Sequence, residues 1–370
     1  MLKRKHIDWL FVLPTDGLGG GAEQFLFNIA EHLSSKNEKC KIIILTRKKY
    51  KGWDKLEKNC QITYLPFSSV ILGYLFLVLV LFRLFVTHQL DYTFTSQTLI
   101  NGLLGCYKRI GLIPNTKVIV RESNSIFKLL KGKKLRLYTT AYKLGYKGVD
   151  LIICQTAYMK DQLLSVIPKL EKNAKIVVLH NPVNLGLIAE KSKKPISITL
   201  HNNTPFIVAA GRLVPAKGFD ILITAFGKLR KDFPELQLII LGEGPERQKL
   251  TSQIERMRLH DRITLVGFVE NVYPYFKNAA LCVLSSRIEG FPNVLLQMMS
   301  QNTKVVSTLS AGDIDQIKGI YTCEIENVAS LANTIKQCFN DDTTQNRALF
   351  DAYLEKRTVP SYIKNMLHNL

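Results

Sequence analysis

Four side chains able to hold a charged, hydroxyl-bearing ligand fall in two short segments. Residues 211–220 read GRLVPAKGFD. Arg212 and Lys217 stand five apart around a turn that follows an apolar run. They offer a planar guanidinium fork and a point charge. Cations fixed in that way stabilise negative charge as it builds up in a reaction; unfixed, they are two surface cations. Residues 285–300 read SSRIEGFPNVLLQMMS. Residues 281–284 before them read as a buried strand, Glu289-Gly290-Phe291 as a turn, and Pro292 as a first helical residue, where a missing N–H is tolerated. Val294, Leu295, Met298 and Met299 recur at helical spacing. A strand, a loop and a helix start aim backbone N–H groups and the positive end of the helix dipole at an anion above the strand. Glu289 and Gln297 can face one ligand there, because helical side chains lean toward the N-terminus. The plainer reading is a helix packed on a sheet with a solvated loop carboxylate.

Together the two segments resemble the signature of the retaining glycosyltransferases of GT-B family 4. That signature is G-R-L-x-x-x-K-G-F-D followed by E-G-F-P-N-x-x-x-E. The likeness covers essentially the whole chain and is strongest over residues 206–308. It implies that Arg212 and Lys217 grip the diphosphate of a nucleotide sugar and that Glu289 binds the donor-sugar hydroxyls. Gly290 and Phe291 offer backbone N–H groups, and Pro292 and Asn293 complete that loop. Gln297 takes the ribose position, where the family carries glutamate. Phe268, closing a strand over 263–268, joins the same substrate-binding set. The family further implies retained anomeric configuration, no metal or other cofactor, and a leaving phosphate that accepts the acceptor's proton.

The elements that must position these residues alternate. Strands are expected over 6–15, 40–46, 62–67, 91–96, 117–122, 151–156 and 175–182, with helices over 22–33, 70–86 and 137–146. After residue 184 come a linker and a strand over 185–200. Strands then follow over 206–211, 236–242, 263–268, 281–284 and 304–308, separated by helices. Such alternation means parallel sheets with right-handed crossovers. The resemblance makes the fold α/β, with two Rossmann-like domains facing each other across a cleft (GT-B). The expected boundaries are 1–184 for acceptor binding and 185–355 for the nucleotide sugar, with a tail, 356–370, packing back on the first domain.

The first domain has its own candidates. Gly20 and Gly21, in the stretch LGGGAE, open a helix after the first strand; glycines let backbone approach a ligand closely. The stretch lacks the dinucleotide spacing G-x-G-x-x-G and is similar to the family's G-G-A-E loop. Arg121 ends a strand at its carboxyl edge, where open α/β sheets bind ligands; a phosphate and an Arg121–Glu122 ion pair are both open. Residues 94–97, FTSQ, lack the histidine that relatives place there. Asp313 and Asp315 form a D-x-D, a spacing suited to divalent metal, which is read as coincidental.

The chain has 370 residues and a formal charge of +20. Residues 1–184 hold 28 Lys/Arg against 12 Asp/Glu. Such a half fits an anionic partner. No nucleic-acid-binding motif is visible, which ranks nucleic acid below an anionic membrane surface or a phosphorylated lipid; the plainer reading of part of the excess is a solvated surface. Seven cysteines without a C-x-x-C pair read as reduced thiols of a cytoplasmic protein. Residues 70–86 are apolar apart from Arg83 and lie between two strands. They are expected to form a domain helix with an apolar exposed side rather than a span.

The resemblance, with the charge and this helix, implies an enzyme that moves a hexose or N-acetylhexosamine from a UDP-linked donor to a lipid-linked saccharide in surface polysaccharide assembly. It would be peripherally attached at the inner face of the cell membrane. Two alternatives stay open: a nucleotide-sugar epimerase of the same fold, and a non-catalytic sugar-nucleotide-binding partner subunit.

Overall fold

The computed structural model describes residues 4–18, 21–123, 126–196 and 204–370. The chain divides into two compact units, Met1–Pro182 with Val359–Leu370, and Val183–Thr358.

The first unit runs β1 (Lys5–Leu13), α1 (Gly21–Ser35), β2 (Cys40–Ile44), β3 (Cys60–Tyr64), α2 (Val70–Thr87), β4 (His88–Thr95) and α3 (Thr98–Arg109). It continues through β5 (Lys117–Glu122), α4 (Ile126–Leu129), α5 (Gly132–Leu144), β6 (Leu151–Cys154), α6 (Ala157–Val166) and β7 (Lys175–Val178). The second unit begins with α7 (Leu185–Lys191), β8 (Phe206–Ala210), α8 (Phe219–Leu229), β9 (Gln237–Leu241), α9 (Arg247–Arg256) and β10 (Ile263–Gly267). After it come α10 (Tyr273–Asn278), β11 (Leu281–Leu284), α11 (Asn293–Gln301), β12 (Val305–Thr308) and β13 (Tyr321–Cys323). α12 (Val328–Asn340) and α13 (Asn346–Glu355) close that unit, and α14 (Val359–His368) belongs to the first.

Each unit holds one sheet, ordered β3-β2-β1-β4-β5-β6-β7 in the first and β10-β9-β8-β11-β12-β13 in the second. Every strand pair is parallel. The expected α/β class with two Rossmann-like units is therefore borne out. The strands are near-continuous apolar runs because helices cover both sheet faces. Along β1, Leu10 and Val12 enter a core with α2, α3 and α5. Their alternates Trp9, Phe11 and Leu13 enter a second core with α1 and α14. In both sheets the order reverses next to the first strand, between β1 and β4 and between β8 and β11. Loops at the carboxyl ends of strands at such a switch point form a ready-made crevice.

Two departures from the sequence-based expectation bear on the site. Residues 185–191 are helix α7, where a linker and strand were expected. Asn184 caps it, its side chain accepting a hydrogen bond from the Leu187 N–H at 3.1 Å. Pro292 is not the first helical residue: it sits at the N-cap in an extended conformation, and α11 starts at Asn293.

Helix α2 is the crossover between β3 and β4, and both strands lie in one sheet. It is long and apolar enough to cross a membrane by length and composition. Leu77, Leu81, Leu84 and Phe85 pack into the core. Ile71, Leu75, Leu79, Phe82 and Val86 form an exposed stripe at i, i+4 and i+3 spacing. The helix approaches the sheet at Gly73, where a Cβ would lie 2.3 Å from the Leu45 carbonyl oxygen. Gly73→Ala should therefore destabilise the fold by about 1–3 kcal/mol, the usual cost of overpacking. Denaturant unfolding measures this; an unchanged midpoint would mean that the helix docks elsewhere.

Candidate active site

The two segments singled out in the sequence meet at the switch point of the second unit. The loop after β8 and the loop after β11 leave neighbouring parallel strands on the same edge. Residues Pro215–Lys217 form one 3₁₀ turn, and Gly218 follows in the left-handed region at φ 63°. A Cβ on Gly218 would lie 2.1 Å from the Ser285 carbonyl oxygen, so glycine is required there on both conformational and steric grounds.

A dense set of bonds ties the loops together. Ser285 Oγ donates to the Lys217 carbonyl at 3.0 Å, and the Arg287 N–H donates to the Ala216 carbonyl at 2.8 Å. The Arg287 guanidinium donates to Asp220 through both Nη atoms, at 2.9 and 2.8 Å, and to the Pro215 carbonyl at 2.6 Å. Its Nε reaches Glu326 at 2.9 Å. Burial on its own would raise the Asp220 pKa, but the Arg287 hydrogen bonds and charge outweigh it and hold the carboxyl below its usual value. The loop after β9 joins the set, since the Leu213 N–H donates to the Glu243 carbonyl at 2.9 Å.

Held this way, Lys217 Nζ lies 2.5 Å from Glu289 Oε1. Ser286 Oγ donates to that same oxygen at 2.7 Å, and the Glu289 N–H donates to the Ser310 carbonyl at 2.8 Å. Arg212 is exposed and makes no side-chain bond among the described residues. The site therefore offers one uncommitted guanidinium, one ammonium shared with a carboxylate, and a carboxylate oriented by a hydroxyl.

The other expected donor-site residues are more varied in placement. Gly290 is buried, as is Phe291, whose ring lies under the Arg357 guanidinium at 5.6 Å. Pro292 is buried and Asn293 half-buried at the start of α11. Gln297 lies one to two turns into that helix and points its Nε2 at the Tyr273 hydroxyl, 3.4 Å away. Phe268 is 70% exposed just past β10. That strand is two positions from β8, or roughly 10 Å at the spacing of sheet strands.

In the first unit the picture differs from expectation. Gly20 lies outside the described residues, and Gly21 is the first residue of α1. Arg121 is buried and forms no ion pair with Glu122 among the described residues. Adjacent residues on a strand point to opposite faces. Arg121 is 1% exposed, stacks on the Phe25 ring at 4.0 Å and donates to Asn181 at 2.6 Å, while its Nε and Nη1 have no hydrogen-bond partner among the described residues. Burial lowers its pKa to about 10. Glu122 accepts from the Tyr142 hydroxyl and, at 2.7 Å, from the Tyr146 hydroxyl. Burial raises its pKa. The Arg121–Phe25 stack is part of how α14 docks, since Phe25 also meets Tyr362 edge-on at 5.2 Å.

Among the described residues, one group of side chains has the reach to share a metal ion: His6, Asp8 and Asp91 at the amino-terminal edge of the first sheet. Asp313 and Asp315 are not in such a group. Arg287 went unnoticed in the sequence because its partner Asp220 lies 67 residues away and no local pattern marks the pair.

With this geometry in hand, the chain can be set beside known proteins. Residues 204–341 match the family model Glyco_trans_1_4, glycosyl transferases group 1. The chain carries a glycosyltransferase domain. It is 31% identical over 198 residues to an uncharacterized glycosyltransferase of Methanocaldococcus jannaschii, covering 52% of this chain and 48% of that one. It thus spans about half the length of that relative. It is 26% identical over 339 residues to N-acetylgalactosamine-N,N'-diacetylbacillosaminyl-diphospho-undecaprenol 4-alpha-N-acetylgalactosaminyltransferase of Campylobacter jejuni, covering 87% and 88%. In fold it superposes on the Anabaena Alr3699/HepE protein, solved in complex with UDP, with a TM-score of 0.78 at 20% identity over 98% of this chain and 100% of that one. The expectation of a glycosyltransferase is borne out at the level of this domain.

The glycosyltransferase domain is organised around the Arg287–Asp220 clamp. A double-mutant cycle on unfolding free energy, with Arg287→Ala, Asp220→Ala and both together, should give a coupling of about 1–3 kcal/mol. Additive losses would show that the clamp does not hold the two loops together.

Proposed function

We propose that the protein is a retaining glycosyltransferase of family 4 that moves a hexose or N-acetylhexosamine from a UDP-linked donor to a lipid-linked saccharide. The observation that carries this is the meeting of Lys217 and Glu289, with Arg212 on the same loop as Lys217, at a sheet switch point inside a glycosyl transferases group 1 domain. The donor diphosphate becomes the leaving group, and Arg212 and Lys217 offset the charge that grows on it. Glu289 takes the sugar hydroxyls, Gln297 the ribose, and Phe268 gives the base an exposed aromatic face. The leaving phosphate accepts the acceptor's proton, and no metal is assigned a part. The Campylobacter relative, whose name includes a diphospho-undecaprenol saccharide, supports a lipid-linked acceptor.

The exposed α2 stripe and the basic character of residues 1–184 support peripheral attachment to the inner, anionic face of the cell membrane. On the same core, α5 exposes Lys133, Lys134, Arg136 and Lys143. Apolar and cationic groups thus share one flank of the unit.

Two measurements test this reading. Release of UDP in the presence of a lipid-linked acceptor should fall at least ~100-fold in Arg212→Ala and in Lys217→Ala, the usual loss for a charge-stabilising donor. It should be unaffected by EDTA, and circular dichroism should be unchanged. Near-wild-type turnover in either variant removes the diphosphate assignment. Separately, binding to phosphatidylglycerol vesicles should weaken as salt approaches ~1 M, where the Debye length is about 3 Å. It should be lost in Leu75→Glu/Leu79→Glu. Equal binding to neutral and anionic vesicles would contradict the membrane reading.

A further inference from the structure

Residues 47–51, RKKYK, carry four cations and an aromatic ring between β2 and β3. In the structure all five are exposed, yet their backbone is held tightly. Asp16, fully buried in the loop after β1, receives the N–H groups of Lys49, Tyr50 and Lys51 on a single oxygen, at 3.0, 2.9 and 3.0 Å. Lys51 is thereby held in the left-handed region at φ 55°, which a side-chain-bearing residue rarely adopts. The Tyr50 ring packs on Gly17, and a Cβ on Gly52 would lie 2.5 Å from the Asp16 carbonyl oxygen. The basic loop is thus clamped onto the start of the glycine-rich loop, beside the switch point of the first sheet.

Strain and a buried carboxylate are spent on fixing this loop, and the cations it presents are mostly uncommitted. Lys48 is occupied by Asp54 and Glu57 at 2.9 and 2.7 Å. Arg47, Lys49 and Lys51 make no ion pair among the described residues; the Lys49 ammonium lies over the Tyr50 ring at 5.1 Å. The loop also adjoins the membrane-facing helix. The Arg47 N–H donates to the Phe67 carbonyl at 2.9 Å, and the Phe67 ring meets the Phe76 ring of α2 at 4.5 Å. A loop of fixed backbone therefore carries three cations, and its first residue, Arg47, adjoins the segment that leads into an exposed apolar helix.

We infer that Arg47, Lys49 and Lys51 form a binding site for the diphosphate of a prenyl-linked acceptor, with the apolar flank of α2 taking the adjoining lipid. The inference rests on the lipid-linked acceptor proposed above. A diphosphate carries several negative oxygens close together. Clamped cations meet it without ordering flexible backbone first, which favours it over a single-charge lipid headgroup.

The test titrates farnesyl diphosphate, inorganic diphosphate and phosphatidylglycerol vesicles into the full chain saturated with UDP. Arg47→Gln/Lys49→Gln/Lys51→Gln is compared with Lys133→Gln/Lys134→Gln/Lys143→Gln, which removes the same charge from α5. Farnesyl diphosphate should bind tighter than inorganic diphosphate. Its binding should weaken at least ~30-fold in the loop variant and less than ~3-fold in the α5 variant, since bonds between charged partners are the strong ones. Asp16→Asn, which keeps every cation, should weaken it several-fold. Equal losses in the two triple variants, or none in the loop variant, overturn the site. A loss confined to vesicles would make the loop a headgroup contact and overturn it too. Equal binding of the two diphosphates overturns the lipid-linked source. If UDP does not bind at all, the transferase reading falls, and the farnesyl diphosphate titration still decides the loop.

Discussion

The second unit depends on one interaction, the two-pronged bond between Arg287 and Asp220. It joins the loop after β8 to the loop after β11, alongside the Ser285–Lys217 and Arg287–Ala216 hydrogen bonds. A planar fork against a carboxylate fixes direction as well as distance. With the Pro215 carbonyl also on the guanidinium, the 3₁₀ turn at Pro215–Lys217 cannot swing away from β11. Gly218 completes the constraint, because its lack of a Cβ lets the turn close to contact distance with Ser285. Charged partners in a half-buried site are costly to leave unpaired. The clamp therefore holds the loops together and makes separating them expensive.

What the clamp delivers is the Lys217–Glu289 pair. In the unliganded protein the ammonium is answered by a carboxylate, and Ser286 steadies that carboxylate. In the proposed reaction the donor diphosphate would compete for the ammonium and leave Glu289 to take hydroxyl donors. Arg212, exposed and uncommitted, needs no such release. The two cations are thus prepared differently, one available at once and one exchanged. Both stand on loops whose backbone is already ordered, which is what electrostatic stabilisation of a leaving group requires.

Much of this was legible in the chain. The apolar runs that become β5, β8 and β11 lie within a residue of their expected bounds, because strands buried on both faces need unbroken hydrophobic sequence. The donor-site segments were visible because glycine, proline and charge cluster there at fixed offsets. Other elements were hidden for physical reasons. α3 begins after Gln97 without a capping side chain. β13 is three residues long. α6 was missed although Thr156 caps it by accepting from the Met159 N–H, a signal that was present and not used. α7 reads as a linker because it is only seven residues long and the polar run Lys191–Lys194 at its end masks the Asn184 cap. Long-range pairings gave no local sign at all. Arg287–Asp220 and the Asp16 clamp bring together residues separated by 67 and by 33 to 35 positions. Arg121 was misplaced because strand alternation was not applied to its own neighbour, Glu122.

The account stands on the claim that the two clamped loops of the second unit receive the donor nucleotide. Amide hydrogen exchange of the full chain with and without UDP tests it most directly. Exchange should slow in residues 211–220 and 285–297, at the carboxyl ends of β8 and β11, with little change at β13. Protection confined to the first unit, or absent from both loops at a UDP concentration that saturates binding, would contradict it.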